Sequence, residues 1–317
     1  MRSSRTVAWT MILALTALAA APTARAVDAS RPTVGDIWAY STNTTAAAGF
    51  NLVGELTFAV SSRGPARIVD ETLEVFSVTA SGRGNATGTF ETPIGDFPVT
   101  GEWTLTGVEA LETAGLKVVS SLLDLFVEGT IHSDPLPQSF SFRFQNTTTY
   151  TILGDTWRFP LDVGDAGAVT SRYESVEDVR IEYGLVDNRT QSRGSGNLTL
   201  SYSMLSASTM ATRAGTFEVY RIREDWPDGS YEIRWYAPAA GNDARREVYN
   251  ATGVRLGQAD LIAYRYQALE PTRIFGLTLD QWAIVLITIA TAAGATAVLA
   301  LRKRRKRRRN PGHPPAP

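Results

Sequence analysis

The chain contains no cysteine, and only two of its 317 residues are histidine. The absence of cysteine excludes disulfides, thiol catalysis and thiolate metal sites. His313 lies near the C-terminus, which leaves His132 as a lone histidine in a polar stretch, too little for a Ser-His-Asp triad. The usual esterase, zinc-protease and nucleotide-binding motifs are also absent. We therefore expect no enzymatic activity and no cofactor.

Residues 1–26 have the pattern of a cleaved secretory signal peptide. Arg2 and Arg5 provide the positive start, residues 7–21 are apolar apart from two threonines, and Ala24-Arg25-Ala26 offers the small residues that signal peptidase requires. The apolar run is short for a membrane span. We expect the mature chain to begin near Val27, outside the cytoplasm.

A second apolar segment predicts a transmembrane helix at 278–301. Residues 282–301 carry no charge and, at ~1.5 Å per residue, are long enough to cross a hydrocarbon core of about 30 Å. Eight cations follow and predict a stop-transfer signal: Arg302, Lys303, Arg304, Arg305, Lys306, Arg307, Arg308 and Arg309. We expect a single-pass protein of the cell membrane, with its helix in the lipid bilayer and a basic, proline-rich cytoplasmic tail at 302–317.

The near-neutral total charge hides an acidic ectodomain. Of 31 Lys and Arg residues, three lie in 1–26 and eight in 302–317, which leaves 20 against all 32 Asp and Glu, a net charge near −12. An acidic surface repels phosphates, so nucleic acid is not expected as a partner.

Six of the nine asparagines stand in Asn-x-Thr sequons, an excess that predicts a glycoprotein and favours an archaeal or eukaryotic host. The predicted glycosylation sites are Asn43, Asn85, Asn146, Asn188, Asn197 and Asn250. Asn250 is the strongest of them, because residues 250–253 have the composition of an exposed hairpin turn.

Period-two alternation runs from about residue 34 to 268 and predicts a mainly β ectodomain of half-buried antiparallel strands. Residues 140–144, Phe-Ser-Phe-Arg-Phe, are a clear example. Glycine clusters at 82–84 and 194–196 are interpreted as turns between strands. At 111–129 the pattern allows a helix or two strands broken near Ser120-Ser121, and we favour strands.

Two similar motifs indicate an internal duplication. Val34-Gly35-Asp36 resembles Leu153-Gly154-Asp155, with residues 160–165 as a competing second copy, and 72–78 resembles 216–222. The sequence therefore predicts two related β-rich lobes, at 27–150 and 151–270, each entered by a Gly-Asp turn.

Residues 213–268 resemble a class of exported β proteins. The likeness rests on Gly215-Thr216-Phe217, on Trp235-Tyr236-Ala237-Pro238, on Gly241 and on Leu261 with Tyr264. This ending is similar to that of proteins related to the lipoprotein-carrier half-barrels. The resemblance implies curved antiparallel sheets, half-barrel or sandwich-like, around an apolar cleft, and it implies a fold more than a function.

Within this stretch, the alternation of Tyr231, Ile233 and Trp235 predicts that Trp235 lies on the buried face of a strand. Arg234 should then point to the opposite face.

Three functions remain open. The first is a non-catalytic, membrane-anchored cell-surface module that binds a protein, a glycan or an apolar ligand, the last of these in a long concave groove. The second is a structural envelope glycoprotein without a small ligand, which should have a filled core and polar faces. The third is a carboxylate-based hydrolase, with two carboxylates about 5–10 Å apart in a cleft.

Overall fold

A computed structural model describes residues 31–267, except for 46–48, 93–94, 114–116, 134–135 and 155–159. Strands make up almost all of it, as the period-two alternation predicts. They are β1 (Ile37–Thr45), β2 (Phe50–Ile68), β3 (Glu71–Thr92), β4 (Gly95–Glu112), β5 (Val118–Ile131), β6 (Gln138–Ile152), β7 (Ala166–Tyr183), β8 (Val186–Thr212), β9 (Gly215–Asp225), β10 (Tyr231–Ala237), β11 (Asn242–Tyr249) and β12 (Arg255–Arg265). A short 3₁₀ helix, Pro238–Ala240, connects β10 to β11.

The strands form a closed antiparallel barrel. Each strand pairs with the one before and the one after it, and β12 returns to pair with β1, from Ile37↔Arg265 to Thr44↔Gly257. The sheet is therefore closed rather than the half-barrel or sandwich that the resemblance implied. Without this pairing, β1 and β12 would each expose a row of unpaired backbone N–H and C=O groups.

Both halves of the barrel begin with the same turn. Gly35 and Gly164 have φ angles of 98° and 100°, a conformation that favours glycine. The aspartate after each glycine accepts a hydrogen bond from a backbone N–H three residues earlier, at 2.7 Å for Asp36 and 2.8 Å for Asp165. The motif at 163–165 is thus a structural counterpart of 34–36, whereas Asp155 of the motif at 153–155 lies outside the described residues.

The correspondence continues along the strands. β2 has a bulge after Val60 and β8 has one after Met204, and these residues pair with Val78 and Ile222. The similar segments 72–78 and 216–222 therefore occupy equivalent positions on β3 and β9. The halves share one sheet, because β6 pairs with β7 from Phe140↔Tyr183 to Ile152↔Ser171.

Side chains fill the interior of the barrel. A large hydrophobic cluster includes Trp38, Phe50 and Trp103, and a smaller one includes Tyr202, Tyr220 and Tyr236. Phe50 on β2 and Phe140 on β6 stack with ring centroids 5.7 Å apart. Because β2 and β6 are not neighbouring strands, this contact joins opposite walls across the interior.

The two glycine clusters lie within strands β3 and β8 rather than at turns. A methyl group at Gly84 would lie 2.8 Å from Nε1 of Trp103 and 2.1 Å from the carbonyl oxygen of Val53. A methyl group at Gly196 would lie 3.4 Å from the ring of Tyr173. The turn interpretation was wrong, because both clusters lie inside strands. Gly82 and Gly84 make room for the indole of Trp103, whereas the contact at Gly196 is an ordinary one.

Residues 111–129 contain the end of β4 and most of β5, so strands are confirmed there, but the predicted break near Ser120-Ser121 is wrong, since both serines lie within β5. Between residues 31 and 267, outside the gaps, no helix is long and apolar enough to cross a membrane. The signal peptide at 1–26, the transmembrane helix at 278–301 and the cations at 302–309 lie outside the described residues and stay predictions.

Candidate functional site

The two faces of β10 have different roles. Glu232 and Arg234 point into the barrel, where each is 1% exposed, whereas Trp235 lies on the opposite face of the strand, half-buried and packed against the large hydrophobic cluster. The prediction was right that Trp235 and Arg234 lie on opposite faces and that Ile233 is buried, but it was wrong that Arg234 faces outward, since Arg234 is more deeply buried than Trp235. Arg234 can enter the interior because carboxylates from the strands on either side neutralise it.

Five charged side chains on β9, β10 and β11 form what we call the polar layer: Glu224, Glu232, Arg234, Asp243 and Arg246. Arg234 donates to Glu224 at 2.8 Å and to Asp243 at 2.9 Å. Arg246, its direct cross-strand partner, donates to Glu232 at 2.8 Å. The layer therefore alternates buried cations and anions, the arrangement that makes buried charge tolerable.

Glu109 on β4 adds a buried carboxyl group that interacts with Arg246. It is 1% exposed, and neither carboxyl oxygen has a hydrogen-bond partner. Burial raises the pKa of Glu109 well above its usual 4.5, against the opposing effect of Arg246. Burial thus favours the protonated form of Glu109 in the folded chain.

Burial also perturbs the polar layer itself. It raises the pKa of Asp243 to about 6, although Arg234 opposes this shift, and it lowers the pKa of Arg246 to about 10. Burial would lower the pKa of Arg234 too, but Asp243 and Glu224 outweigh it and raise that pKa. Glu224 and Asp243 are only 3% and 2% exposed, so the two carboxylates do not lie in an open cleft of the kind a hydrolase needs.

The outer face of β9–β11 carries an aromatic patch, which we define as Arg221, Arg223, Tyr231, Trp235 and Tyr249. Tyr231 and Tyr249 are direct cross-strand partners, and their rings stack with centroids 4.7 Å apart. The guanidinium of Arg223 lies 3.9 Å from the centroid of Tyr231, and that of Arg221 lies 5.7 Å from Trp235. The three rings are half-buried, so each still offers surface to a ligand.

Ion pairs surround the aromatic patch. Arg223 bonds Asp225 at 2.6 Å, and Arg255 bonds Glu247 at 3.1 Å. Glu247 also accepts a hydrogen bond of 2.6 Å from the hydroxyl of Tyr249, which helps to hold that ring in place. The patch therefore has an aromatic centre and a charged rim.

A pocket of about 370 Å³ lies beside the patch, where β12, β1 and β2 run side by side. Arg255 lines the pocket and is the cross-strand partner of Tyr249, so it connects the two features. Most of the other lining residues are polar, and one of them is Asn43.

The six sequons differ in exposure. Asn43, Asn85, Asn188 and Asn197 are exposed on strands, and Asn250 is half-buried at the start of the predicted β11–β12 turn. Asn146 is 1% exposed and accepts a hydrogen bond of 2.7 Å from Thr148 inside the barrel. A glycan does not fit there in the folded chain, so we withdraw Asn146 from the expected sites because its strand points it inward.

Sequence reasoning missed the polar layer. Along β10, the charged residues Glu232 and Arg234 alternate with the aromatic residues Tyr231 and Trp235. This regular alternation of large side chains on both faces was the available signal for the polar layer. Asp243 and Glu224 meet Arg234 only through strand pairing. In the described part of the chain, no group of three or more Asp, Glu or His side chains is placed to hold a metal ion.

No protein-family model and no curated protein matches the chain. Two solved structures resemble it. One is a Bacteroides fragilis protein inferred to be exported, with a YmcC-like fold, at 12% identity and a TM-score of 0.32, covering 74% of this chain and 97% of its own. The other is a Parabacteroides distasonis protein inferred to be a lipoprotein, at 11% identity and a TM-score of 0.25, covering 74% and 96%. Neither likeness is close enough to indicate a fold or a function, and the carrier-like class stays a prediction.

Proposed function

We propose that the barrel is a non-catalytic, membrane-anchored binding module of the cell surface, and that the aromatic patch docks a protein partner. The observation that carries this proposal is the concentration of two tyrosines, a tryptophan and two arginines on one outer face. Trp, Tyr and Arg dominate the binding energy of protein interfaces. Rings already held by stacking also lose little freedom on binding.

The composition around the patch favours a protein over the other two ligand classes. An aromatic centre with a charged rim is the usual anatomy of a protein interface. An apolar ligand would need a groove, whereas the described interior is packed from wall to wall, as the stack of Phe50 on Phe140 illustrates. A glycan, which also stacks on aromatic rings, is the outcome to be separated by experiment.

The location rests on the sequence. A signal peptide at 1–26 and an uncharged segment at 282–301 followed by eight cations support export of the barrel and anchoring of the chain. In this arrangement the aromatic patch is presented outside the cell.

Site-specific crosslinking in the native membrane tests the docking proposal. A photo-reactive phenylalanine analogue is placed at Arg221, inside the patch, and in a separate variant at Arg189, another exposed arginine, on β8. We expect a discrete protein adduct from position 221 that is lost when Tyr231→Ala and Tyr249→Ala are added. The same adduct should not form from position 189.

Equal adducts from both positions, or an adduct that survives loss of both tyrosines, would contradict docking at the patch. An adduct that disappears after glycan removal from the partner would identify a glycan as the ligand instead.

The second candidate, a structural envelope glycoprotein, is favoured by the filled core and by the ion pairs on the outer face of β5–β8. There Arg143 bonds Asp124, and Arg180 bonds Asp187 at 2.8 Å. A structural role predicts that patch variants fold and function like the native chain, so the crosslinking result decides between the two candidates.

A further inference from the structure

The pocket beside the aromatic patch includes an acceptor asparagine in its own wall. Asn43 and Thr45, the first and third residues of one sequon, both line it. Asn43 is exposed, so its amide can be reached by a transferase. The pocket's volume of about 370 Å³ lies in the range of roughly 300–1,000 Å³ typical of small-molecule sites.

The lining of the pocket suits a saccharide. Ser41 supplies a hydroxyl group to the lining. Asp260 already accepts from Arg245 and Gln258, and its carboxylate oxygens keep further lone pairs that can accept from sugar hydroxyls. Val53, the direct cross-strand partner of Asn43, supplies an apolar surface and is 45% exposed. A sugar ring has both hydroxyl edges and an apolar C–H face, so it can use both kinds of contact.

A second sequon lies on the other side of Val53. The cross-strand row runs from Asn43 through Val53 to Asn85, so the two asparagines are two strands, or about 10 Å, apart on the outer face. Glycans on both would flank Val53, and only the one on Asn43 begins at the pocket, since Asn85 does not line it.

We propose that this pocket seats the first sugars of an N-linked glycan on the chain's own Asn43. A tethered glycan is present at the pocket at an effective concentration of about millimolar, so weak contacts suffice to hold it. The proposal is independent of partner docking at the aromatic patch, because it concerns β12, β1 and β2 and a ligand attached in cis.

Hydroxyl-radical footprinting of the full-length glycoprotein from its native host tests the proposal, because these radicals abstract hydrogen from any solvent-exposed sugar C–H. Glycopeptides at Asn43 and at the exposed Asn197, which lines no part of the pocket, are followed by mass spectrometry in the folded and the denatured protein. We expect Asn43 to be occupied and its inner sugars to react about tenfold more slowly than those on Asn197 when folded, equivalent to ~1.4 kcal/mol of contact free energy. After denaturation the two rates should be equal.

A matched pair of variants keeps the test specific. Val53→Asp removes the apolar floor and should abolish the protection while Asn43 stays occupied. Val108→Asp, on β4, changes a residue of similar exposure (43% against 45%) outside the pocket and should leave the protection intact. An unmodified Asn43 beside a modified Asn197, equal rates in the folded protein, or protection that survives Val53→Asp would each overturn the proposal.

Discussion

Arg234 joins two carboxylates from two strands, so three buried charges depend on one side chain. It donates from β10 to Glu224 on β9 and to Asp243 on β11, at 2.8 and 2.9 Å. Trp235, the next residue, lies half-buried on the outer face, near Arg221. Arg234 therefore belongs to the barrel interior, and its neighbour Trp235 lies on the other face of the same strand.

Arg234→Ala should destabilise the protein far more than Trp235→Ala. Removing one partner of a buried ion pair leaves uncompensated charge and costs about 3–5 kcal/mol. Truncation of the half-buried Trp235 should cost roughly half as much or less, because the 3–5 kcal/mol typical of tryptophan requires full burial. Urea denaturation of the purified chain measures both, and a larger loss for Trp235→Ala would contradict the assigned faces.

Glu109 should make the barrel less stable as the pH rises. Its pKa is raised in the folded state by burial, so above about pH 4.5 the folded chain keeps a proton that the unfolded chain has released. Stability therefore falls with rising pH, and Asp243 adds to this fall between its usual 3.8 and about 6.

Glu109→Gln mimics the protonated side chain and should flatten part of this slope. Melting temperatures measured at pH 5 and pH 8 should differ less in the variant than in the native chain. Exposed Glu55, replaced by glutamine, serves as the control and should leave the slope as it is. An unchanged slope in Glu109→Gln would mean that Glu109 is ionised in the folded barrel.

At the scale of strands, glycines decide how closely β2, β3 and β4 approach. The ring of Trp103 on β4 lies over Gly54, Gly82 and Gly84, where a methyl group would come within 2.8 Å of the indole. The large ring and the three glycines therefore form one packing unit across three strands.

Gly84→Ala should disrupt this unit. The new methyl group would meet the backbone of Val53 at 2.1 Å as well as Trp103, and such overpacking typically costs about 1–3 kcal/mol. Gly64→Ala on β2 is the matched control, because no atom lies within 4 Å of its added methyl group. Thermal denaturation should separate the two variants, and equal melting temperatures would refute the packing argument.

At the scale of the whole molecule, the barrel consists of two corresponding sets of six strands. The same Gly-Asp turn opens β1 and β7, and the same bulge occurs in β2 and β8. Equivalent positions in the two sets carry different side chains. Glu109 on β4 is the cross-strand partner of Val78 on β3. At the corresponding place in the second set, Arg234 on β10 is the partner of Ile222 on β9. The two sets of strands share the turn and the bulge, whereas the polar layer and the aromatic patch both lie in the second set. The internal duplication itself stays a prediction.

Orientation in the membrane is a prediction for the whole chain. Protease added to intact cells should remove everything N-terminal to about residue 273 and leave a small membrane-bound stub, because the cations at 302–309 stay in the cytoplasm. N-terminal sequencing of the intact chain should find a start near Val27. A chain that resists protease when other surface proteins are cut, or that keeps Met1, would contradict the single-pass arrangement.

The alternation of apolar and polar residues was enough to predict an antiparallel β protein, because side chains on a strand point to opposite faces with period two. The turn at Asn250 and the duplicated Gly-Asp turns were also visible, since turns need particular residues at adjacent positions. These features are local, so the amino-acid order alone determines them.

Only the tertiary structure decided which face of a strand is inside where both faces carry large side chains. Arg234 is buried because Glu224 and Asp243 reach it from other strands, and Gly84 lies within a strand because Trp103 needs its space. Asn146 is likewise buried by strands that are distant in sequence. Barrel closure, the polar layer and the pocket all depend on pairing between residues far apart in the chain, and a local pattern does not contain that pairing.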